Sequence, residues 1–447
     1  MISRRNVVLM SALLTGGCAN MSGLRNGLLP LGARSKFVRV EGQRFLLNGE
    51  TYRFAGANLW YAAYLGALGP TGDRDRLCKE LDLLASLGVG NLRAMGASES
   101  SPLKHSVDPA FRSAKPPYNE DLLAGLDFLL AEMAKRNMKA VICLGNHWEW
   151  SGGFAAYLYW TNGGHLIDRA DGHSAEEFAD FASGFFSKPE AVALYRDYVA
   201  TLIGRTNSVT GTAYRDDPTI MTWQLANEPR PGASLEVGLP NLPSYYAWIA
   251  DTAAFIKARD PVHLVSAGSE GLHSCLDLED VVLKTHAIAD IDYLTFHTWP
   301  QNWRWVDPDD LAGTYSQGEM RSRNYVRAHV AMAKLLNKPA VAEEFGFPRD
   351  KGYEPGSPTT FKDRFYDMMF SEVLDNARGG GPLAGWSFWA WGGMGRAQHG
   401  DRRWQRGDTS YLGDPPHEPQ GWYSVFDVDS STHDVIRRHA AALKAVD

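Results

Sequence analysis

The sequence has few cysteines, and none is placed to build a metal site. Four cysteines occur in 447 residues. Cys78, Cys143 and Cys275 are isolated from one another in apolar surroundings, so we expect core thiols rather than a disulfide framework. Neither a Cys-x-x-Cys pair nor a His/Cys cluster at metal-ligand spacing occurs. We therefore expect a protein that uses no metal and no cofactor.

An excess of positive charge is also lacking. The formal net charge is -7 and the isoelectric point is about 6.0, which leaves no basic surface for nucleic acid or anionic lipid headgroups. The chain is instead rich in aromatic residues, with 14 Trp and 18 Tyr. Aromatic rings stack on the apolar faces of sugars, although a large core also uses them. A neutral carbohydrate is therefore the expected partner.

Long apolar runs are missing after the N-terminus, so we expect a soluble body. Arg4 and Arg5 precede an apolar run over residues 7–14, and small residues lead to Cys18. This order is typical of an export signal, and the arginine pair resembles a twin-arginine signal. Cys18 resembles the lipidated cysteine of a bacterial lipobox, although Thr15 stands where Leu is commoner. We predict export to the periplasm, outer membrane or exterior, with a lipid anchor at Cys18 or simple cleavage; a frayed cytoplasmic tail is the alternative.

Short apolar segments alternate with helical periodicities along the rest of the chain. Strand candidates cover residues 52–58, 91–95, 140–144, 220–225, 263–267, 293–296, 340–343 and 385–390. Helical periods cover residues 74–87, 119–136, 189–206, 244–258, 324–336, 360–377 and 434–446, and only the crossover after the fifth strand has no clear helix. This order predicts an α/β fold, a (β/α)8 TIM barrel.

The barrel is expected to form a single, monomeric unit over residues 37–447, after a signal in residues 1–18 and a linker in residues 19–36. A β-hairpin within residues 37–47 is expected to cover one barrel end. Long loops over residues 149–188 and 397–420 follow strand ends, and such loops shape the binding face of a barrel.

Two glutamates fall at the ends of opposed strands. Glu228 follows the fourth strand in Asn-Glu-Pro, and Glu344 ends the seventh in Glu-Glu-Phe-Gly. Strands four and seven face each other across a barrel, and retaining glycosidases need two carboxyl groups about 5 Å apart. Helix capping or surface pairing is the alternative for each glutamate. Glu343 competes with Glu344, because neighbours in a strand point to opposite faces and only one can reach the substrate.

Other polar side chains are predicted at the same barrel face. Arg93 follows the second strand and is expected to keep the nucleophile ionised. Asn146 and His147 follow the third strand. Asn227 and His297, at the ends of the fourth and sixth, are expected to bind sugar hydroxyls or to orient Glu228.

Aromatic residues cluster at two of these strand ends. Trp389 and Trp391 close the eighth strand, where Trp389 is expected to form the floor under a sugar ring while the other indole serves packing. The loop after the third strand carries four more aromatic residues, expected either as sugar platforms or as loop anchors: Trp148, Trp150, Tyr157 and Trp160.

These motifs together resemble glycoside hydrolase family 5, in particular its β-mannanase branch. The resemblance covers nearly everything after Phe37 and rests on Asn146-His147-Trp148 with Gly152-Gly153, on residues 214–220 leading to Asn227-Glu228-Pro229-Arg230, on His297-Thr298-Trp299-Pro300, on Glu343-Glu344-Phe345-Gly346 and on Phe388-Trp389. It implies that Glu228 is the acid/base and Glu344 the nucleophile. It also implies substrate-binding roles for Arg93, Asn146, Trp148, Asn227, His297, Trp299, Trp389 and Trp391. In the expected mechanism, burial and the nearby carboxylate raise the pKa of Glu228.

The chain departs from the family at Trp299, where a tyrosine usually supports the nucleophile. An indole N–H donates a hydrogen bond but cannot accept one, so the cleft beside Glu344 is expected to differ.

The sequence leaves the mode of cleavage open. We predict an endo-β-mannanase that cuts β-1,4-mannosidic bonds in mannan or mannooligosaccharides. An exo-acting β-mannosidase is the alternative, because the long loops after strands three and eight could close the cleft at one end. A β-1,4-glucanase is disfavoured by the resemblance alone. A non-catalytic carbohydrate-binding lipoprotein is disfavoured because both glutamates and Arg93 are present.

Overall fold

Eight parallel strands form the centre of the structure, a computed structural model that describes residues 35–446. They are β1 Phe54–Asn58, β2 Asn91–Met95, β3 Lys139–Cys143, β4 Ile220–Gln224, β5 Leu264–Ser266, β6 Leu294–Thr298, β7 Ala340–Phe345 and β8 Leu383–Phe388. Their hydrogen-bonded order is β5-β4-β3-β2-β1-β8-β7-β6. Between β5 and β6 the amide of Asp292 donates to the carbonyl of Val265 at 2.8 Å, so the barrel is nearly closed. The predicted TIM barrel is confirmed.

Helices surround the strands, and five of the seven predicted helical periods begin within four residues of an observed helix. They are α1 Ala62–Gly66, α2 Arg74–Ser86, α3 Glu120–Lys135, α4 Gly153–Thr161, α5 Ala175–Ser183, α6 Pro189–Ile203, α7 Leu235–Lys257, α8 Glu279–Ala287, α9 Leu311–Leu336, α10 Thr360–Arg378 and α11 Ser430–Lys444. Helix α8 fills the crossover after β5, for which no clear helix was predicted. Helices α7 and α9 begin earlier than expected, at N-caps whose side chains accept backbone N–H groups: Ser234 and Asp310.

The predicted N-terminal hairpin is extended by a third strand. Arg39–Glu41, Arg44–Leu47 and Glu50–Tyr52 form an antiparallel sheet in sequence order. Asn48 and Gly49 make the second turn with φ of 57° and 86°, which suits Asn and Gly. The first predicted barrel strand was therefore placed two residues too early, because its first residues belong to this sheet.

The N-terminal sheet covers the amino ends of the barrel strands. Its Phe45 and the preceding Val38 pack near the amino ends of several barrel strands in one buried apolar cluster, which also contains Phe54, Met221, Leu264, Tyr293, Val341 and Ala384. The opposite, carboxyl ends of the strands remain available for a site.

The two long loops differ from each other. Residues 149–188 were predicted as a loop, but they contain helices α4 and α5, whereas residues 397–420 hold no helix or strand. Cys143 and Cys275 are buried and Cys78 is half-buried, all three as free thiols. Within residues 35–446 no helix combines the length and the apolarity needed to cross a membrane. The predicted signal, the lipid-attachment cysteine and most of the linker lie outside the described residues.

Candidate active site

Glu228 and Glu344 meet at the carboxyl face of the barrel. Glu228 lies four residues beyond the last residue of β4, with a φ of 54°, and Glu344 is the penultimate residue of β7. One oxygen of each carboxyl group and one ring nitrogen of His297 all lie within 4.8 Å of one another. That spacing matches the roughly 5 Å of retaining glycosidases and is shorter than the 6.5 Å or more, roughly, of inverting ones.

The strand that carries Glu344 is irregular at this point. In the ladder with β6, Ala342 pairs with Phe296 and Glu344 pairs with His297, so Glu343 is left without a partner residue. Such a bulge breaks the alternation of side chains. Glu344 lines the cavity, while Glu343 also turns inward and accepts a hydrogen bond from Gln224 Nε2 at 2.7 Å. The two side chains therefore do not point to opposite faces as expected, but of the two only Glu344 lines the cavity, as predicted.

Arg93 from β2 holds the floor of the site together. Its guanidinium donates to the Glu344 carboxylate and, at 2.7 Å, to both Gln224 Oε1 and Asn227 Oδ1. A further bond of 3.0 Å reaches Asn58 Oδ1. The predicted pairing of Arg93 with Glu344 is present, and the planar fork fixes four acceptors at once.

His297 joins the two catalytic candidates. Its Nδ1 lies 2.6 Å from Glu228 Oε1 and 3.3 Å from Glu344 Oε2. Burial alone would lower the pKa of His297, but the charge of Glu344 and the hydrogen bond to Glu228 raise it to about 10. The two carboxylates at Nδ1 therefore favour the imidazolium form of the ring.

The expected rise in the pKa of Glu228 is not found in this geometry. Burial does act to raise it, but the hydrogen bond and charge of His297, helped by Arg230 and the indole N–H of Trp148, hold the pKa at about 2. For Glu344, burial and the charges of Glu228 and Glu343 outweigh His297 and Arg93 and raise the pKa to about 7. The acid proton of this site is thus shared by the His297–Glu228 pair.

A cavity of about 350 Å³ opens above the two glutamates. Of the predicted substrate-binding residues, four line it besides the glutamates: Trp148, Asn227, Trp299 and Trp389. Trp299 packs edge-on against Trp389 with ring centroids 5.9 Å apart, so the residue that departs from the family pattern forms one wall. Trp150 also lines the cavity.

The other four predicted contacts do not line the cavity: Arg93, described above, and Asn146, His297 and Trp391. Asn146 accepts from Asn227 Nδ2 at 3.1 Å and from the backbone N–H of Trp148, so it positions two cavity residues. His297 acts on Glu228 and Glu344 as described. Trp391 is fully buried and stacks on His433 at 5.7 Å, which corrects its assignment to substrate binding. Trp391 lies in a separate short strand, Trp391–Gly393, beyond the end of β8.

The aromatic residues of the loop after β3 divide between two tasks. Trp148 and Trp150 line the cavity. Tyr157 is buried and donates to Glu99 at 3.1 Å, and Trp160 packs on Tyr157 with centroids 5.2 Å apart. Tyr157 and Trp160 therefore anchor the loop.

Several residues that line the cavity were not predicted from the sequence. Glu270, four residues beyond the end of β5, accepts from Arg230 Nε at 2.8 Å, and burial raises the pKa of Glu270 to about 8. Its position near a strand end was a usable signal. His417 and Glu418 lie in the irregular loop after β8, where no periodicity marks a side chain. The remaining unpredicted lining residues are Arg169, Ala175, Glu176, His273, Asn302, Trp303, Pro415 and Trp422.

An eight-stranded parallel barrel that presents two glutamates less than 5 Å apart, with an arginine on one and a histidine on both, defines a glycoside hydrolase. Residues 35–447 match the family model described as GH family 5 beta-mannosidase-like, and the chain belongs to that family.

Relatives of the chain carry mannan-related names. It is 29% identical over 375 residues to mannan endo-1,4-beta-mannosidase 1 of Oryza sativa subsp. japonica, covering 80% of this chain and 79% of the relative. A glycoside hydrolase family 5 mannosidase from Rhizomucor miehei is 36% identical with a TM-score of 0.83, covering 92% and 99% of the two chains. A mutant of that mannosidase was crystallised in complex with mannosyl-fructose. An endo-1,4-beta-mannanase from the same organism shares the fold at 23% identity and a TM-score of 0.66, with 91% and 99% covered.

Proposed function

We propose that this chain is a retaining exo-β-mannosidase that removes mannose from the non-reducing ends of β-1,4-linked mannooligosaccharides. Glu228 is the acid/base and Glu344 the nucleophile. The substrate class follows the family, and the relatives named above act on mannan or are named mannosidase. The observation that carries the exo mode is the wall that the loop after β8 contributes to the cavity.

That wall carries buried polar groups without protein partners. Among the described residues, Glu418 Oε2 and His417 Nδ1 are buried and make no hydrogen bond, and both side chains line the cavity. Burial and the charges of Asp414 and Glu344 raise the pKa of Glu418 well above its usual range. Unsatisfied buried groups are costly, and sugar hydroxyls would satisfy them.

The leaving group belongs on the other side, beside Glu228. Arg230 and Glu270 line the cavity there, and the Arg230 guanidinium lies 4.8 Å from the ring centre of Trp148, whose indole donates to Glu228. A sugar clamped between the loop after β8 and Glu344 is then the terminal residue of its chain. A cavity of about 350 Å³ is at the small end for ligand sites and suits one ring with part of a second.

The chemistry uses the proton of the His297–Glu228 pair. As the substrate displaces water, Glu228 Oε1 gives this proton to the glycosidic oxygen while a Glu344 oxygen attacks the anomeric carbon and the C–O bond breaks. The Arg93 guanidinium stabilises the Glu344 carboxylate before attack. Water then loses a proton to Glu228 and attacks the same carbon. The bond from that carbon to Glu344 breaks, so Glu344 returns as a carboxylate and mannose leaves with retained configuration.

The test follows the products from borohydride-reduced mannohexaose, whose reducing end is marked by mass. We expect unmarked mannose and marked pentasaccharide as first products, followed by a ladder of shorter marked chains. An NMR time course is expected to show β-mannose before mutarotation; α-mannose first would contradict the retaining mechanism. The E228A and E344A variants, which each lack one carboxylate, serve as inactive controls.

An endo-β-mannanase is the second candidate, because the rice relative is a mannan endo-1,4-beta-mannosidase that aligns over 79% of its length. This candidate predicts mid-length fragments and a rapid fall in the viscosity of mannan. Hydrolysis of cellohexaose without hydrolysis of mannohexaose would overturn the substrate class itself. Export and lipid attachment at Cys18 remain part of the proposal, tested by labelling with radioactive palmitate in a bacterial host and by a C18A control.

A further inference from the structure

A third carboxylate lies directly beneath the catalytic pair. Glu343 is 1% exposed, and the bulge at the end of β7 turns it into the barrel interior beside Glu344. Gln224 Nε2 donates to its Oε2 at 2.7 Å, while its Oε1 has no hydrogen-bond partner among the described residues. A buried carboxylate that is only half satisfied needs an explanation.

The far nitrogen of His297 faces this carboxylate. His297 Nε2 lies 3.7 Å from Glu343 Oε2, and it is likewise buried without a hydrogen-bond partner in the described part of the chain. On its near side the same ring contacts Glu228 and Glu344 through Nδ1. His297 therefore sits between carboxylates on both of its nitrogens.

We propose that Glu343 is a positioning residue, which acts through His297 to hold the ring protonated and aimed at Glu228, so that the pair keeps its acid proton. The inference rests on the proposed function, because it takes Glu228 as the acid. No new bond is made at Glu343. Its negative charge stabilises the imidazolium, and the proton passes from His297 Nδ1 to Glu228 Oε1 and on to the leaving oxygen.

Glu343 differs in its position from the other charged groups around the His297 ring. Arg93 from β2 lies 3.7 Å from Glu343 but bonds to Glu344, and Glu228 and Glu344 both face Nδ1. The more distant Glu270 is paired with Arg230. Glu343 approaches the ring at its other nitrogen, with Oε2 at 3.7 Å from Nε2. Without it, two buried cations, Arg93 and His297, would share the charges of Glu228 and Glu344.

The test compares wild type with E343Q, which removes the charge and keeps the shape. With mannobiose, whose sugar leaving group needs the acid proton, we expect the alkaline limb of kcat/KM to move down by about one pH unit, equal to a tenfold loss in proton affinity. C143S is the matched control: Cys143 bonds to Gln224 on the same barrel floor but carries no charge at these pH values. For C143S, the alkaline limb of kcat/KM is expected at the same pH as in wild type.

A second readout does not depend on catalysis. The ring nitrogens of His297, identified in ¹⁵N NMR by their loss in H297N, are expected to titrate at lower pH in E343Q than in wild type. If the chain hydrolyses no mannoside but this shift appears, the proposed function fails and the role of Glu343 stands. If E343Q loses activity with an unmoved limb and an unmoved titration, Glu343 is only a structural partner of Arg93 and Gln224.

Should E343Q fail to fold, E343D provides the same test at smaller amplitude. Its carboxylate is withdrawn from Nε2 by one methylene, so the limb and the titration are expected to move in the same direction by less. An E343D protein whose alkaline limb of kcat/KM and whose His297 titration both stay at the wild-type pH would overturn the proposal.

Discussion

Arg93 shows how one side chain sets the geometry of the catalytic floor. It donates to Glu344, Asn227, Gln224 and Asn58 while only 3% exposed. A lysine would keep the charge but would present a single ammonium on a flexible stem. The planar fork, rather than the charge, is thus what places Glu344 and Asn227 relative to each other.

R93K is therefore expected to lower kcat/KM at least about 100-fold, since hydrogen bonds to charged groups contribute about 1.5–3 kcal/mol each and two or more are lost. Steady-state kinetics on mannobiose provide the measurement. The matched control is R437K, because Arg437 pairs with Asp434 on the surface. Equal activities of R93K and R437K would show that charge alone suffices.

Trp148 and Trp160 lie in the same loop but are predicted to respond differently. The Trp148 indole donates to Glu228 and lines the cavity, whereas Trp160 packs on Tyr157 outside it. W148F removes the donor, so we expect kcat/KM to fall about tenfold or more with a small change in melting temperature. W160F is expected to leave kcat/KM near wild type. A reversed ranking in kinetics on mannotriose would show that the catalytic contact belongs to the other indole.

At the scale of single residues, strand-end position predicted the catalytic centre but not most of the cavity lining. Glu228, Asn227 and Trp389 lie just beyond apolar strands whose direction fixes their face, and Arg93 lies within β2 and bonds to Asn227. The inward turn of Glu343 could not be predicted, because a bulge depends on the pairing with β6 and not on the local sequence.

The loop after β8 is ordered by buried charge rather than by regular structure. Asp414 accepts from the backbone N–H groups of Gly421 and Tyr423 and from the hydroxyl of Ser424. Lys362 of α10 donates to the carbonyls of Tyr423 and Ser424 at 3.0 and 3.1 Å. This clamp holds the segment that carries His417 and Glu418 against the barrel.

D414N is expected to loosen that segment, because the N–H groups of the new amide would face backbone N–H and hydroxyl groups that now donate to the Asp414 carboxylate. We expect the KM for mannobiose to rise and di- and trisaccharides to appear among the products of mannohexaose. The free energy of unfolding should fall by about 1–3 kcal/mol. D401N, at an exposed position of the same loop, is the control. If D414N loses stability as expected but its product pattern is unchanged, the clamp stabilises the loop and does not determine where the substrate is cut.

Sequence patterns served the regular elements well and this loop poorly. All eight strands were found within three residues at their first residue, since each is a buried apolar run. Helices α4 and α5 were missed: α4 is apolar on most sides, so no clear stripe marked it, and α5 has only nine residues. Asp414 contacts residues seven to ten positions away, a pattern that no helical or strand period describes.

Across the whole molecule, buried histidines and buried glutamates change the free energy of unfolding in opposite directions as the pH falls. Burial lowers the pKa of several histidines, among them His147, His273 and His329 to about 3 and His286 to about 4. Burial raises the pKa of several glutamates, among them Glu99 and Glu344 to about 7 and Glu270 to about 8. As pH falls from about 6.5, the unfolded histidines bind protons that the folded ones refuse, so stability decreases.

The glutamates oppose this trend only above about pH 4.5, where the folded chain holds protons that the unfolded chain has lost. Below that pH they are protonated in both states, and the histidines continue to favour unfolding. We therefore expect the free energy of unfolding to change little between about pH 6.5 and 4.5 and to drop steeply from about 4.5 to 3.5. Urea titrations at half-unit steps of pH give the curve.

Replacing His329 tests the contribution of one buried histidine to this pH dependence of stability. Its Nε2 accepts from the backbone N–H of Leu272 at 3.0 Å, and its Nδ1 donates to the carbonyl of Tyr325 at 2.7 Å, so protonation would cost the Leu272 bond. Glutamine offers one donor and one acceptor but does not titrate. H329Q should be less stable at pH 7, through lost stacking on Phe296, and the deficit should shrink by about 1 kcal/mol per pH unit below about 6.5. A curve for H329Q that runs parallel to wild type would mean that His329 takes up its proton without unfolding.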